Sequence, residues 1–342
     1  MNKIQAINSF ADLRDRLKKL PAPDHHSLNL AREKEPTLTK PLGALGRLEE
    51  ISAWVSAWQG THPPQMTNLQ ARIFAGNHGI ANQGVSAYPS QVTQQMVTNF
   101  KTGGAAVNQL CRTFGVSLKV IPIDLENPTK DFSIQPAMTE SECVKAINIG
   151  INSIDSGADI ICLGEMGIGN STAAAALCHS MYGKTARSWV GVGSGIDKKT
   201  FDRKITLVKT AVRAHSPYIN DGLDALARLG GRELAAITGA TFAARLKRIP
   251  VLLDGFISTS AAAVLEINQK DALDHCLVSH KSSEPGHEGL LKLIKKSPLL
   301  DLGLRLGEAS GAVLSVSLLK AAVNCHNGMS TFTDAKVGNK IN

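Results

Sequence analysis

The sequence predicts an α/β protein built on a mostly parallel sheet flanked by helices. Short β-rich runs alternate with long helical patterns through most of the chain. Strand–helix–strand alternation implies right-handed crossovers, and these pair the strands in parallel. Hydrophobic residues make up 43% of the 342 residues, and aromatic residues only 4%. Such an aliphatic core suits a sheet that helices cover on both faces.

The first 60 or so residues are predicted to be helical and amphipathic. In the first helix, four apolar residues recur at helical spacing: Ile7, Phe10, Leu13 and Leu17. Pro41 and Gly43 interrupt the pattern before a second helix. The following stretch THPPQMTN is predicted to be a linker, because paired prolines cannot continue a helix.

Six runs downstream are predicted to be strands, and helical patterns separate them. They are ARIFAG (71–76), SLKVIPID (117–124), ADIICLG (158–164), SWVGVG (188–193), PVLLDG (250–255) and HCLVSH (275–280). The last helix is predicted to begin near Glu308 and to run through EASGAVLSVSLLKAAVNCHN.

Charge and cysteine usage narrow the class of function. Lys and Arg exceed Asp and Glu by 37 to 29, and a net charge of +8 favours anionic ligands. The basic residues are scattered and aromatics are few, which argues against nucleic-acid binding. The six cysteines show no C-x-x-C spacing, so neither a zinc site nor a redox motif is indicated. No apolar leader or membrane-spanning run is visible, which predicts a cytoplasmic protein.

Unusual sequence follows the predicted strands, where parallel sheets bind their ligands. Five such loops contain AGNHGIANQGVSAYPSQ, LGEMGIGNSTAAAA, VGVGSGIDKK, LDGFISTSAAA and VSHKSSEPGHEG. In the second loop, Gly167 and Gly169 allow close approach of the backbone, and Asn170 or Ser171 can cap the next helix. Such a helix start can hold an anion, or it can be a tight turn without a ligand. The spacing is G-x-x-G-x-G, which differs from the dinucleotide fingerprint and argues against a dehydrogenase.

A second glycine turn, GVGSGID, contains Gly193 and suggests a phosphate held between loop backbones. Lys204, on the following helix, can add a positive charge. Glu165 and Asp254 each follow a strand and are either site carboxylates or solvated turn residues. His78 has the same character, although a lone histidine is more often structural.

Glu308 stands out because small and apolar residues surround it in DLGLRLGEASGAV. A helix N-terminus would favour its ionised form, whereas burial would raise its pKa. It is therefore either a catalytic carboxylate or a first-turn glutamate that compensates the helix dipole.

Five segments, in this order along the chain, resemble the nicotinate-nucleotide–dimethylbenzimidazole phosphoribosyltransferase family. They are KPLGALGRLEE, AGNHGIANQGVSAYPSQVT, GEMGIGNSTAAAA, LLDGFISTSAAA and LRLGEASGA. The resemblance extends from about residue 37 to about residue 325. It implies a Rossmann-like parallel sheet with a small helical domain built from both chain ends. We therefore expect residues 1–62 and 301–342 to form the small domain and residues 63–300 the large one.

The resemblance also implies an activity and a set of site residues. The family transfers the phosphoribosyl group of nicotinate mononucleotide to 5,6-dimethylbenzimidazole, giving α-ribazole 5′-phosphate and nicotinate, in assembly of the cobalamin lower ligand. The implied general base is Glu308, with Glu165 in the same site. The implied phosphate and ribose ligands are Gly167, Asn170, Gly193 and Lys204. The implied base pocket contains Tyr88, Pro89, Met96, Leu306 and Gly307.

The resemblance further implies a homodimer that needs no metal or organic cofactor. Some relatives have a serine and a glutamine where this chain has Tyr88 and Met96, and "GNHG" has Asn77 where many relatives have an aspartate. The first two differences replace polar contacts with apolar ones and leave the acceptor base open. Adenine or a phenol as acceptor, and a noncatalytic nucleotide-binding protein, are the alternatives.

Overall fold

The structure, a computed structural model, describes residues 4–193 and 195–338. These residues form six strands in one sheet, and every neighbouring pair is parallel. The strands are β1 Leu69–Ala75, β2 Ser117–Pro122, β3 Ile160–Met166, β4 Val251–Leu253, β5 Cys276–His280 and β6 Pro298–Leu300. Their spatial order is β2-β1-β3-β4-β5-β6. The order therefore reverses between β1 and β3, and a crevice at such a point is where open α/β sheets bind ligands.

Helices connect the strands and precede and follow the sheet. From the N-terminus they are α1 Phe10–Leu17, α2 His25–Lys34, α3 Arg47–Gln59, α4 Gln91–Thr102, α5 Ala106–Phe114, α6 Glu140–Asn152, α7 Asn170–Tyr182 and α8 Ala186–Trp189. The remainder are α9 Lys198–His215, α10 Gly222–Leu229, α11 Arg232–Leu246, α12 Phe256–Asn268, α13 Pro285–Leu293, α14 Ser310–Gly328 and α15 Phe332–Ala335. Short 3₁₀ turns occupy Glu35–Thr37, Gly79–Gln83 and Ser216–Tyr218.

Alternate side chains of the strands enter two separate cores. Ile73 and Cys162 face a core shared with α3, α4, α5 and α14, whereas Phe74 and Leu163 face one shared with α6, α7, α11 and α12. The period of two follows from strand geometry. The result is a three-layer α/β/α arrangement that supports the loops at the carboxyl edge of the sheet.

The first helix and most strands lie where the sequence predicts them. The four apolar residues that predict α1 are all buried. The prediction of a strand over 188–193 is wrong, because this run begins as the end of α8 and continues as a loop. The Thr185 side chain accepts a hydrogen bond from the Ser188 amide and starts the helix, which ends at the buried Trp189. Strand β6 was not predicted; it is a three-residue edge strand beginning at a proline, which is tolerated only at such positions.

The two chain ends meet at one side of the sheet. Leu38 pairs with Thr331 in an antiparallel bridge, and the Thr39 amide donates to the Ser330 carbonyl at 3.1 Å. Helix α14 also packs on β3, β4 and β5 and so joins these ends to the sheet. The division into a small domain of residues 1–62 and 301–342 and a large domain of 63–300 stays a prediction.

Candidate functional site

Glu308 lies in a turn immediately before α14. The turn has three consecutive residues in the left-handed backbone region: Gly307 at φ +82°, Glu308 at φ +64° and Ala309 at φ +61°. For residues other than glycine this conformation costs of order 1–3 kcal/mol and persists only where the surroundings impose it. The expectation of a helix start is confirmed, but Glu308 precedes the first helical residue, Ser310, by two positions.

The Glu308 side chain is buried, with only 7% of the residue exposed. Burial raises the pKa of its carboxyl group to about 7, and the negative charge of Asp254 contributes to the same shift. A carboxyl group with this pKa exchanges its proton near neutral pH, as a general base requires.

Glu165, near the end of β3, faces the same turn. A Cβ atom at Gly307 would lie 2.7 Å from the Glu165 Oε1 atom, so the glycine lets the carboxyl group approach the backbone. Asn170 donates a hydrogen bond from its Nδ2 atom to the other carboxyl oxygen. Burial raises the pKa of Glu165 well above its usual value, and the charges of Asp254, Glu233 and Glu308 act in the same direction. The two predicted catalytic carboxyl groups are therefore close together in the structure.

Lys204 forms a second buried group beside them. It is fully buried on α9, and its Nζ atom donates to the Ser171 hydroxyl at 2.9 Å and to the Gly191 carbonyl at 3.2 Å. A Cβ atom at Gly193 would lie 3.5 Å from this Nζ atom. Burial lowers the pKa of the Lys204 ammonium to about 8, although the Glu284 carboxylate opposes this shift. The structure thus brings together two of the predicted phosphate ligands, Gly193 and Lys204.

The start of α7 connects the two groups. Asn170 is its first residue and bonds to Glu165, while Ser171 is its second and bonds to Lys204. The expectation that Asn170 or Ser171 caps this helix is wrong, because the capping position is Gly169 and no side chain bonds there. Gly167 packs against the end of β1, where a Cβ atom would lie 2.4 Å from the Gly76 carbonyl oxygen. Ser194, in the second glycine turn, lies outside the described residues.

The predicted base-pocket residues differ in their exposure to solvent. Tyr88 and Leu306 are each 55% exposed, and Pro89 is exposed as well. Met96 is half-buried on α4 and packs against the core beneath. Gly307 contacts Glu165, as described above. Tyr88 and Leu306 therefore leave apolar surface open to solvent, whereas Met96 contributes to the core.

A family model described as a phosphoribosyltransferase matches residues 20–337. The nicotinate-nucleotide–dimethylbenzimidazole phosphoribosyltransferase of Rhizobium etli is 49% identical over 331 residues, which are 97% of this chain and 98% of that protein. The protein of the same name from Rhizobium leguminosarum bv. trifolii is 50% identical with the same coverage. The chain belongs to the nicotinate-nucleotide–dimethylbenzimidazole phosphoribosyltransferase family.

A solved member has the same fold as this phosphoribosyltransferase. The crystal structure of CobT from Thermus thermophilus matches with a TM-score of 0.86 and 36% identity over 92% of this chain and 100% of that one. A second crystal structure from the same organism matches with a TM-score of 0.86 and 35% sequence identity. The predicted α/β fold with a parallel sheet and the family resemblance are confirmed.

Sequence reasoning missed three buried polar residues of this phosphoribosyltransferase: Glu233, Glu284 and His280. His78, which the sequence left as either functional or structural, bonds through Nε2 to the buried Glu233 carboxylate of α11. Glu284 accepts a hydrogen bond from the Gly193 amide at 3.0 Å. His280 ends β5 and lies 3.5 Å from Asp254. His280 and Glu284 lie in the loop VSHKSSEPGHEG, which its position after a predicted strand already marked as a candidate. Glu233 lies in the first turn of α11, where acidic residues are common, so nothing in the sequence marks it as a site residue.

No cluster of three or more histidine, cysteine, aspartate or glutamate side chains that could hold a metal occurs in the part of the chain that is described. Over the same residues, no helix combines the length and apolar character needed to cross a bilayer. All six cysteines are unpaired thiols, and five of them are buried, as expected for small core residues.

Proposed function

We propose that the chain transfers the phosphoribosyl group of nicotinate mononucleotide to 5,6-dimethylbenzimidazole, giving α-ribazole 5′-phosphate and nicotinate in assembly of the cobalamin lower ligand. One observation supports this most directly: the first two residues of α7 join a carboxyl pair to a buried lysine. Asn170 bonds to Glu165, and Ser171 bonds to Lys204. In this proposal, the acceptor base and the phosphate bind next to one another at one helix start.

The phosphate half of the proposal depends on Lys204 and the glycine loops. The ammonium group and the positive end of the α7 dipole both favour an anion at this place. Gly193 lets the second loop approach Lys204 closely. Glu284 would repel a phosphate, so we assign its carboxylate to holding the Gly193 amide and to keeping Lys204 charged.

The acceptor half depends on Glu308. The benzimidazole attacks C1′ with the lone pair of one ring nitrogen and must lose the proton on the other. Glu308 accepts that proton while the new C–N bond forms, and the old bond to nicotinate breaks with its electron pair going to the pyridine nitrogen. Nicotinate leaves from a pyridinium, so no acid is needed at the leaving group. Attack from the opposite face inverts the β-nucleotide to the α-product.

The pKa values separate the roles of the two carboxyl groups. Burial and the neighbouring carboxylates raise the pKa of Glu165 well above its usual value, so its protonated form is favoured relative to an exposed glutamate. Glu308, with a pKa raised to about 7, is the member of the pair that is available as a proton acceptor. Positive charge developing at C1′ is stabilised by the carboxylate nearby. Holding two flat heterocycles on either side of one ribose supplies further rate enhancement.

The apolar side chains at the edge favour an alkylated aromatic acceptor over a purine. Tyr88, Met96 and Leu306 offer apolar area and no acidic group to a ring nitrogen. Dimethylbenzimidazole buries two methyl groups on such a surface, at about 0.8 kcal/mol per buried carbon group. The homodimer implied by the resemblance and the cytoplasmic location predicted from the sequence stay predictions, and sedimentation of the purified chain measures the first.

The test is a direct product assay. The full-length chain is incubated with nicotinate mononucleotide and an equimolar mixture of dimethylbenzimidazole, adenine and phenol, and the products are resolved by liquid chromatography with mass detection. We expect α-ribazole 5′-phosphate as the main product. If the adenine or phenol product dominates, that compound is the acceptor instead of dimethylbenzimidazole. If no acceptor gives a phosphoribosyl product, the proposed enzymatic function is wrong.

A further inference from the structure

The turn that carries Glu308 is held by the end of β3. Gly164 of that strand runs directly beneath Ala309: a Cβ atom at Gly164 would lie 2.1 Å from the Ala309 amide nitrogen. Backbone contact this close fixes the left-handed residues from one side. It leaves no room for any side chain at the strand position.

Asp254 and His280 hold the other side of the turn. Asp254, fully buried after β4, accepts a hydrogen bond from the Ala312 amide at 3.0 Å through Oδ1. Ala312 is the third residue of α14, so a carboxylate occupies the positive end of that helix. The His280 Nε2 atom lies 3.5 Å from the same oxygen, which is long for a directional hydrogen bond but within ion-pair distance when the imidazole is protonated. The imidazole lies against Gly311, where a Cβ atom would be 2.0 Å from its Cδ2 atom.

We propose that Asp254 and His280 are positioning residues for the phosphoribosyl transfer: their ion pair fixes the first turn of α14, orients Glu308 and sets the charge that Glu308 faces. This inference rests on the proposed function. Neither residue is assigned contact with a substrate. One partner comes from the end of β4 and one from the end of β5, and both contact the first turn of α14 directly after the left-handed residues.

The charged groups around Glu308 determine how substitutions at Asp254 and His280 would change its pKa. The ionisable groups facing the turn are Glu165 from β3, Asp254 from β4 and His280 from β5. Burial lowers the pKa of His280, but the Asp254 carboxylate more than offsets burial, so the net pKa is raised. When the His280 imidazole is protonated, it partly neutralises a carboxylate whose charge raises the pKa of Glu308. Behind Glu165, Glu233 of α11 is already paired with His78.

Two substitutions must then move the pH profile of turnover in opposite directions. Asp254→Asn keeps the oxygen that accepts the Ala312 amide but removes the negative charge, so the acidic limb of the kcat profile moves to lower pH. His280→Gln removes the positive charge and leaves Asp254 unneutralised, so the limb moves to higher pH. Each shift is expected to be on the order of one pH unit. We also expect kcat to fall about tenfold in each variant while KM for nicotinate mononucleotide changes less than about twofold.

The control is another buried histidine–carboxylate pair, which lies at the opposite end of α14 from the Asp254–His280 pair. His326, near the far end of α14, contacts the Glu35 carboxylate at 2.6 Å through Nδ1. His326→Gln removes a comparable pair and should leave the profile where it is. Thermal melting checks that each variant is folded. If Asp254→Asn does not fold, His280→Gln decides the matter alone: an upward shift supports the inference, and no shift or a downward shift overturns it.

The two proposals fail differently. A wild-type chain that makes no phosphoribosyl product from any acceptor overturns the proposed function. An active wild-type chain whose acidic limb stays in place in both variants, or moves in the same direction in both, overturns the positioning role and leaves the function intact.

Discussion

Helices α7 and α14 both begin at the carboxyl edge of the sheet, yet the two starts are built differently. At α7 the left-handed position is taken by Gly169, at φ +98°, and the next side chains reach to Glu165 and Lys204. At α14 it is taken by Glu308 and Ala309, and the Asp254 carboxylate already bonds to the helix. The comparison teaches that a carboxylate of the protein itself satisfies the α14 dipole, whereas at α7 we propose that an external anion does so.

The largest expected effect comes from the charge at the α14 start. Glu308→Gln keeps the side-chain shape but cannot accept a proton, so turnover should fall by about 10²–10⁴-fold, the range typical of a lost general base. Binding of nicotinate mononucleotide, measured by calorimetry, should change little. Glu165→Gln is the matched variant: because burial raises the pKa of Glu165 and the proposal gives the proton-accepting role to Glu308, the loss should be far smaller. Near-normal turnover in Glu308→Gln would contradict the role of Glu308.

A smaller effect is expected at the α7 start. Lys204→Ala removes the buried ammonium group and should weaken nicotinate mononucleotide binding by about 1.5–3 kcal/mol, the strength of hydrogen bonds to charged groups. Affinity for the free acceptor base should stay the same. Lys199→Ala, an exposed lysine on the same helix, is the control. Equal losses for nucleotide and base would show that Lys204 supports the whole site instead of the phosphate.

The packing of Gly164 against Ala309 can be disrupted without changing a charged residue. Gly164→Ala forces a methyl group into the Ala309 backbone, which should destabilise the fold by about 1–3 kcal/mol and lower kcat. Chemical denaturation measures the first quantity. Gly328→Ala, at a position with nothing within 4 Å, should be neutral or slightly stabilising. An unchanged free energy of unfolding in Gly164→Ala would mean that the turn yields easily.

The smallest expected effect is the pH dependence of kcat/KM in the wild type, which reports on Glu308 near the α14 start and on Lys204 near the α7 start. Glu308 must be ionised and its pKa is raised to about 7, so kcat/KM should fall about tenfold per unit as the pH drops below that value. Lys204 must be protonated and its pKa is lowered to about 8, so kcat/KM should fall again above it. A bell-shaped profile between these values is expected in the wild type. The basic limb should disappear in Lys204→Ala, and its persistence would assign it to another group.

Much of this molecule could be predicted from the sequence, for reasons that differ between residues. The α1 residues and most strands were predictable because their apolar residues recur at the spacing of a helix or strand and are buried in the structure. The run SWVGVG was misleading, because a buried aromatic followed by valines suits a helix end as well as a strand. Glu308 and Lys204 were found through glycine-rich motifs. His280 and Glu233 were not, because their partners Asp254 and His78 lie 26 and 155 residues away and only the fold brings them together.

The long-range contacts of the Glu308 turn also bear on the order of folding. Ala309 is fixed by Gly164 of β3, and Ala312 by Asp254 after β4, so both contacts close very large loops. Closing such loops costs more entropy than forming local contacts, so we expect these contacts to form late in folding. The geometry of the Glu308 turn should then form only once the central strands are in place. During refolding, recovery of turnover should coincide with the last structural phase, which makes activity a reporter of complete folding.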